Sequence, residues 1–280
     1  MSLEQKLLSY GFYISKKNVI AITQEFNLSE LSLMEKLLAL AAKKALPPVS
    51  NYHVGAVGLT ESGSIILGCN LEIPKVPLNN SLHAEQFLSV LTLKNKERLK
   101  AIALTAEPCG HCRQFLIEMN NDTDLDIILP GTNEKKLKQL LPASFGPKNL
   151  GVEISLYDER NNNLILKNIE ETDPVLIEAL RQTNMSYAPY THCYSGMAAS
   201  LSDGSIVSGF YIENAAFNPS ISPLLSTLVH LRSVDHNYSQ VIRAVLIEKK
   251  DAIIKQEENT RHLLNIISPK ATLDVYEALC

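Results

Sequence analysis

The chain has no tryptophan, and only five cysteines are spread over its 280 residues. Cys69, Cys109, Cys112, Cys193 and Cys280 are odd in number and too sparse for a disulfide framework, which points to a reducing compartment. No apolar run approaches the roughly 18 residues that cross a bilayer, and Met1–Lys6 lacks the apolar core and cleavage site of a secretory signal. A cytoplasmic protein is expected. Basic charge is not in surplus: 26 Lys and Arg stand against 30 Asp and Glu, so neither a nucleic-acid groove nor an anionic-membrane surface is advertised. With 45% hydrophobic and 20% charged residues, what remains is an ordinary globular chain, long enough for about two domains.

The sequence repeats itself. Residues 52–72 (YHVGAVGLTESGSIILGCNLE) align with residues 193–213 (CYSGMAASLSDGSIVSGFYIE) at an offset of 141. Gly55 meets Gly196, Gly68 meets Gly209, Glu72 meets Glu213 and, upstream, Pro48 meets Pro189. Alternating runs around Ser62-Gly63 and Asp203-Gly204 predict a β-hairpin that occurs twice. In the first copy, apolar residues at 31, 34, 37, 38, 41 and 42 predict a helix from Ser29 to Leu46, with Ser32 and Glu35 as a capping box and Pro47-Pro48 as its stop. Ser81 is the expected cap of a helix over 82–94. Ala101–Thr105 reads as a buried strand, Cys109–Met119 as a helix entered through Pro108, Asp126–Leu129 as a strand and 137–141 as a short amphipathic helix. The second copy predicts a helix over 174–185, a hairpin over 195–212, a helix over 223–232 and a strand over 241–247. An α/β fold follows, with sheets covered by helices.

Two short motifs carry chemistry: His83-Ala84-Glu85 and Pro108-Cys109-Gly110-His111-Cys112, both at predicted helix starts. Two cysteines three apart on the first turn of a helix put both sulfurs on one side, within reach of one tetrahedral metal, and the helix terminus favours their thiolate forms. His83 supplies a third ligand. Three protein ligands leave a fourth position open, the pattern of catalytic rather than structural zinc. Glu85, two residues beyond His83, is poorly placed to ligate the same ion and well placed to shuttle a proton from a water in the open position. His-x-Glu with Pro-Cys-x-x-Cys is the pattern of zinc deaminases. Cys-Gly-His-Cys also matches the active site of a thiol–disulfide oxidoreductase, a reading that leaves His83 and Glu85 unexplained. A structural zinc site would need a fourth ligand.

SLHAEQF (81–87) and PCGHCRQF (108–115) resemble the cytidine deaminases, most closely the larger bacterial class in which a catalytic domain precedes a degenerate copy. NYHVGAV (51–57), GCNLE (68–72), LPASFGPKNL (141–150) and SGFYIENAAFNP (208–219) fit the same class. The resemblance implies two tandem three-layer α/β/α domains with mixed sheets: an N-terminal helical lead (1–28), a catalytic domain (29–149), a linker (150–170) and a degenerate domain (171–280). It implies one zinc held by His83, Cys109 and Cys112, with Glu85 as the proton shuttle. Asn70 and Glu72 would bind the ribose hydroxyls. Tyr52, where the family has phenylalanine, and Ala84 would contact the substrate. Phe145 would close over the base from the partner subunit of a homodimer. Glu107 departs from the pattern where a small hydroxyl residue is expected. At offsets of 141 to 143 the residues opposite His83 are Leu224, Leu225 and Ser226, and a strand alignment sets Ala252 and Lys255 opposite Cys109 and Cys112, so the second copy is expected to lack the metal. The implied reaction is hydrolysis of cytidine and 2′-deoxycytidine to the uridine product and ammonia, as in pyrimidine salvage. A zinc deaminase acting on a nucleotide or a free base, and a nucleoside-binding module without activity, stay open. Lys75 is the only cation near Asn70–Glu72 that could meet a phosphate.

Overall fold

The structure, a computed structural model, describes residues 2–120, 124–167 and 172–280. The end of the expected linker, 168–170, lies outside the described residues. The chain divides into two compact units, Met1–Tyr157 and Asp158–Cys280.

In the first unit, α1 (Leu3–Leu8), β1 (Tyr13–Ile14) and α2 (Lys16–Glu25) precede α3 (Glu30–Lys43). The hairpin β2 (Gly55–Thr60) and β3 (Ile65–Cys69) follows, then α4 (Ala84–Lys94), β4 (Leu99–Leu104), α5 (Gly110–Asn120), β5 (Asp126–Ile128), β6 (Lys135–Lys136) and α6 (Leu137–Leu140). The strand order is β1-β3-β2-β4-β5-β6. β4 and β5 run parallel and the other pairs antiparallel, so the sheet is mixed. A methyl group on Gly55 would sit 2.7 Å from Leu38 O, and one on Gly58 would sit 3.0 Å from Leu88 Cδ2. Residues of opposite parity on β2 therefore face α3 and α4, which gives three layers.

α3 forms because Leu33, Met34, Leu37, Leu38 and Ala41 make one buried stripe. Its cap is Ser29, not Ser32: the Ser29 hydroxyl accepts from Ser32 N at 3.0 Å, which makes Ser32 the capped third residue. Likewise α4 is capped at His83, not Ser81, because Leu82 is still held in an antiparallel bridge to Leu71. Besides its helices, the N-terminal segment supplies an edge strand: Tyr13 pairs with Ile66, and Phe12 O accepts from Leu67 N at 2.9 Å.

The second unit contains α7 (Pro174–Met185), β7 (Ser195–Leu201), β8 (Ile206–Phe210), α8 (Pro223–Ser233), β9 (Val241–Lys249), α9 (Glu257–Ile267) and β10 (Thr272–Ala278). Its sheet order is β10-β9-β7-β8, with β10 parallel to β9. Its hairpin repeats the first register: Ala56 pairs with Gly68, and Met197 with Gly209. The turn glycines Gly63 and Gly204 both take positive φ, 91° and 87°, where a side chain would be strained.

The offset of 141 does not hold beyond the hairpin. The loop after it is closed by a Leu71–Leu82 bridge in the first unit and by an Ile212–Ile221 bridge in the second, which is two residues shorter. The offset becomes 139, so the residue matching His83 is Ser222, the cap of α8, and the residue matching Glu85 is Leu224. This corrects the expected Leu224, Leu225 and Ser226. The strand alignment slips as well. β9 runs on to Lys249, α9 starts at Glu257, and the helix start that matches Cys109 and Cys112 carries Gln256 and Asn259 instead of Ala252 and Lys255. The metal residues are missing from the second copy on either alignment.

Candidate metal centre and active site

His83 ends the loop from β3 and caps α4, and Cys109 immediately precedes α5. β3, β2 and β4 are adjacent in the sheet, so both helix starts emerge on one side of it. β3 and α4 touch backbone to backbone, since a methyl group on Gly68 would lie 2.4 Å from Ala84 O. His83 Nδ1 lies 3.5 Å from Cys109 Sγ and 3.2 Å from Cys112 Sγ, and the sulfurs are 3.6 Å apart. Bonds of about 2.3 Å to sulfur and about 2.1 Å to nitrogen at tetrahedral angles require edges near 3.8 and 3.6 Å, so the three atoms suit one zinc ion. Among the described residues, His83, Cys109 and Cys112 are the only cluster of three metal-ligating side chains.

The electrostatics agree. Cys109 is pulled down to about 4 by the hydrogen bond it shares with Cys112, helped by backbone N–H groups and the His83 ring. Cys112 is pushed up by that same hydrogen bond and by burial. A divalent cation in that place would satisfy both sulfurs as thiolates. The His83 imidazole packs against both sulfurs, a contact that a dithiol redox centre does not require and a shared metal does. His111 is no fourth ligand: its Nε2 lies 3.2 Å from Gln86 Nε2, and its ring centre is 5.8 Å from that of His83.

A cavity of about 450 Å³ opens beside these atoms. Tyr52, Asn70, Glu72, His83, Ala84, Glu85 and Cys109 all line it. Glu85 is 4% exposed, and its burial raises its pKa above the ordinary carboxylate range. This buried carboxyl and the ligand residues His83 and Cys109 share one cavity wall. Phe145 is not among the lining residues, and its side chain is largely exposed. Glu107, Val49 and Leu78 also form part of the wall.

Asn70 and Glu72 already serve the fold. Asn70 Oδ1 accepts from Val54 N, and its Nδ2 donates to Tyr52 O, both at 2.9 Å. Glu72 Oε2 accepts from Val49 N at 3.0 Å and Ser50 N at 2.9 Å, while Oε1 accepts from the Ser50 hydroxyl at 2.6 Å. Burial works against the Glu72 charge, and these hydrogen bonds outweigh it, so the carboxyl lies below its ordinary pKa. Glu213 makes the same set of bonds, to Tyr190 N, Thr191 N and the Thr191 hydroxyl.

Three residues of the quoted motifs carry interactions that sequence reasoning passed over. Gln86 Oε1 accepts from His83 N at 3.3 Å. Arg113 donates to Pro108 O at 2.8 Å and Leu140 O at 2.9 Å. Gln114 Nε2 donates to Phe145 O at 2.6 Å. With the cap at His83, Gln86 takes the third position of a capping box, which the sequence did not mark because histidine is not a usual cap residue. Nothing local to the sequence points to the other two bonds.

Residues 29–124 match a family model described as the cytidine and deoxycytidylate deaminase zinc-binding region, and residues 137–261 match a second model of the same description. The cytidine deaminase of Proteus mirabilis is 39% identical over 268 residues, 95% of this chain and 89% of that protein. That of Aliivibrio fischeri is 38% identical over 262 residues, 93% and 87% of the respective chains. A crystal structure of cytidine deaminase from Mycobacterium tuberculosis is 32% identical over 42% of this chain and 98% of its own, with a TM-score of 0.38.

Proposed function

The chain belongs to the cytidine and deoxycytidylate deaminase family, and on that premise we propose that it hydrolyses cytidine and 2′-deoxycytidine to uridine and 2′-deoxyuridine, releasing ammonia. The observation that carries this reading is the meeting of three zinc-type ligand atoms, all within 4.8 Å of one another, at the wall of a cavity that also holds the buried Glu85. His83, Cys109 and Cys112 would hold one zinc per chain, and that ion would supply the Lewis acidity that makes a water nucleophilic near neutral pH.

The remaining work belongs to the chain. Glu85 accepts a proton from the attacking water and delivers it to ring N3. A bond forms between the water oxygen and C4. Glu85 then carries the second proton to the departing amino group as the C4–N bond breaks, so the products are the uracil ring and ammonia. Its burial favours the protonated form between the two transfers. Asn70 and Glu72 keep the Tyr52 segment in place and offer their remaining acceptor positions to the ribose hydroxyls. Tyr52 and Ala84 flank the base.

Among the described residues, no lysine or arginine lines the cavity, while Glu72, Glu85 and Glu107 do. That wall supports a nucleoside over a nucleotide, whose phosphate would find no lysine or arginine there. The catalytic domain is 29–149 after the 1–28 lead, and 150–170 links it to the non-catalytic 171–280. The active form is a cytoplasmic homodimer in which Phe145 of each chain closes the partner's site. The exposed position of Phe145, outside the cavity of its own chain, supports its action on a neighbour.

The test is the loss of ultraviolet absorbance on cytidine, cytosine and 2′-deoxycytidine 5′-monophosphate, with zinc measured on the same sample. Cytidine turnover with one zinc per chain is expected, and Glu85→Gln should keep the zinc while losing about 10²- to 10⁴-fold in rate. Turnover of the nucleotide alone, or near-normal turnover by that variant, overturns the assignment.

A further inference from the structure

The metal-bearing helix holds more than its own metal. The first turn of α5 turns Cys109 and Cys112 toward His83. The residues just beyond turn toward the 140–146 segment: Arg113 ties Pro108 O to Leu140 O, Gln114 donates to Phe145 O, and a methyl group on Gly146 would come within 3.0 Å of Ile117 Cγ2. Arg113, Gln114 and Ile117 are spaced as one patch of the helix surface. The segment has little regular structure of its own between α6 and the 3₁₀ turn Pro147–Leu150, so these contacts set where the Phe145 ring projects. That ring stands outside the cavity of its own chain.

We propose that Gln114 is a positioning residue that acts in trans: by holding the Phe145 carbonyl, it aims that ring at the active site of a second copy of this chain. The inference rests on the homodimer reading above and adds to it a direction of action. Each α5 serves two sites, its own through the cysteines and its partner's through Gln114. A fault in Gln114 leaves the zinc, the cavity and Glu85 of the same chain intact and weakens the site across the interface.

The test uses full-length chains carrying two different affinity tags, co-expressed and purified as hybrids. Gln114→Leu removes the donor at similar length, and Gln114→Glu removes it at nearly equal shape. Either homodimer should keep its zinc content and raise KM for cytidine about 3- to 10-fold, the scale of one lost hydrogen bond. The deciding sample pairs a Glu85→Gln chain with a Gln114→Leu chain. Its one competent site keeps its own Glu85 and receives Phe145 from the chain with an intact Gln114, so the hybrid should show half the wild-type rate with wild-type KM. A hybrid with the raised KM of the Gln114→Leu homodimer overturns the inference. A second hybrid, Glu85→Gln with Phe145→Ala, reads the premise separately. Half-activity there with a raised KM in the first hybrid sinks Gln114 alone. No recovery in either, or a monomer in solution, sinks the shared site and this inference with it.

Discussion

The Gln86 amide joins the two helix starts of the metal centre: its oxygen accepts from His83 N, and its nitrogen lies 3.2 Å from His111 Nε2. His83 and Cys109 are 26 residues apart, and Gln86, 3% exposed, spans from one ligand segment to the other beside the His83 ring itself. Outer partners of this kind fix ligand orientation, and their loss costs about 10- to 100-fold in metal affinity. Gln86→Leu and His111→Phe should each lower zinc affinity by that order in a chelator competition, and the double variant should lose little more than either. Additive losses would mean that the two side chains do not act as a unit.

The clamp shared by Glu72 and Glu213 separates a folding role from a binding role. Both carboxylates receive the same two backbone N–H groups and one hydroxyl, but only Glu72 lines the cavity. Glu72→Gln and Glu213→Gln should each destabilise their own unit by about 1.5–3 kcal/mol, the scale of a hydrogen bond to a charged group. KM for cytidine should rise only with Glu72→Gln. An equal rise from Glu213→Gln would remove the case for a direct ribose contact.

A backbone contact underlies the position of Glu85. With Ala84 O only 2.4 Å from where a Gly68 methyl would go, Gly68→Ala must push the first turn of α4 off the sheet. Overpacking of this kind costs about 1–3 kcal/mol. Turnover and zinc retention should fall together in this variant. Gly209→Ala meets an equivalent clash, 2.4 Å from Thr227 N, and should cost comparable stability while zinc content stays normal. Thermal melts paired with metal analysis read both effects.

Much of this was legible in the residues, and the reasons are local. Helix α7 falls on the expected 174–185, because its Asp173 cap and its first-turn proline both act within one turn. The hairpins were legible because each turn needs a glycine at positive φ. The zinc ligands were legible because their chemistry restricts both residue type and spacing. What escaped depends on pairing across long separations. β1 is two residues long and exists only because β3 offers an edge, and the β10–β9 pairing joins distant segments by backbone bonds that leave no mark on the sequence. The 139 offset escaped for a related reason: a two-residue deletion in a loop keeps both flanking patterns and changes only their phase.

Acid should weaken the second unit through Glu178 on α7. Its carboxylate accepts from Arg181 Nε and Nη2 at 2.7 Å, from Gln182 Nε2 at 2.9 Å and from the Ser208 hydroxyl on β8 at 2.5 Å. Burial opposes its charge, and these bonds, led by Arg181, still pull it from 4.5 to about 2. A carboxyl with a lower pKa in the folded chain than in the unfolded chain binds its proton more readily when unfolded. Its contribution is complete above pH 4.5 and is lost as the pH falls from 4.5 toward 2. The full shift corresponds to roughly 3 kcal/mol, and solvent screening of this partly exposed group reduces it to about 1–2 kcal/mol. Denaturant melts of wild type and Glu178→Gln at several pH values should therefore differ most above pH 4.5 and converge near pH 2. Parallel curves across that window would show that the α7–β8 link is held by packing of Ile206 against the cluster around Ala179 rather than by this charge.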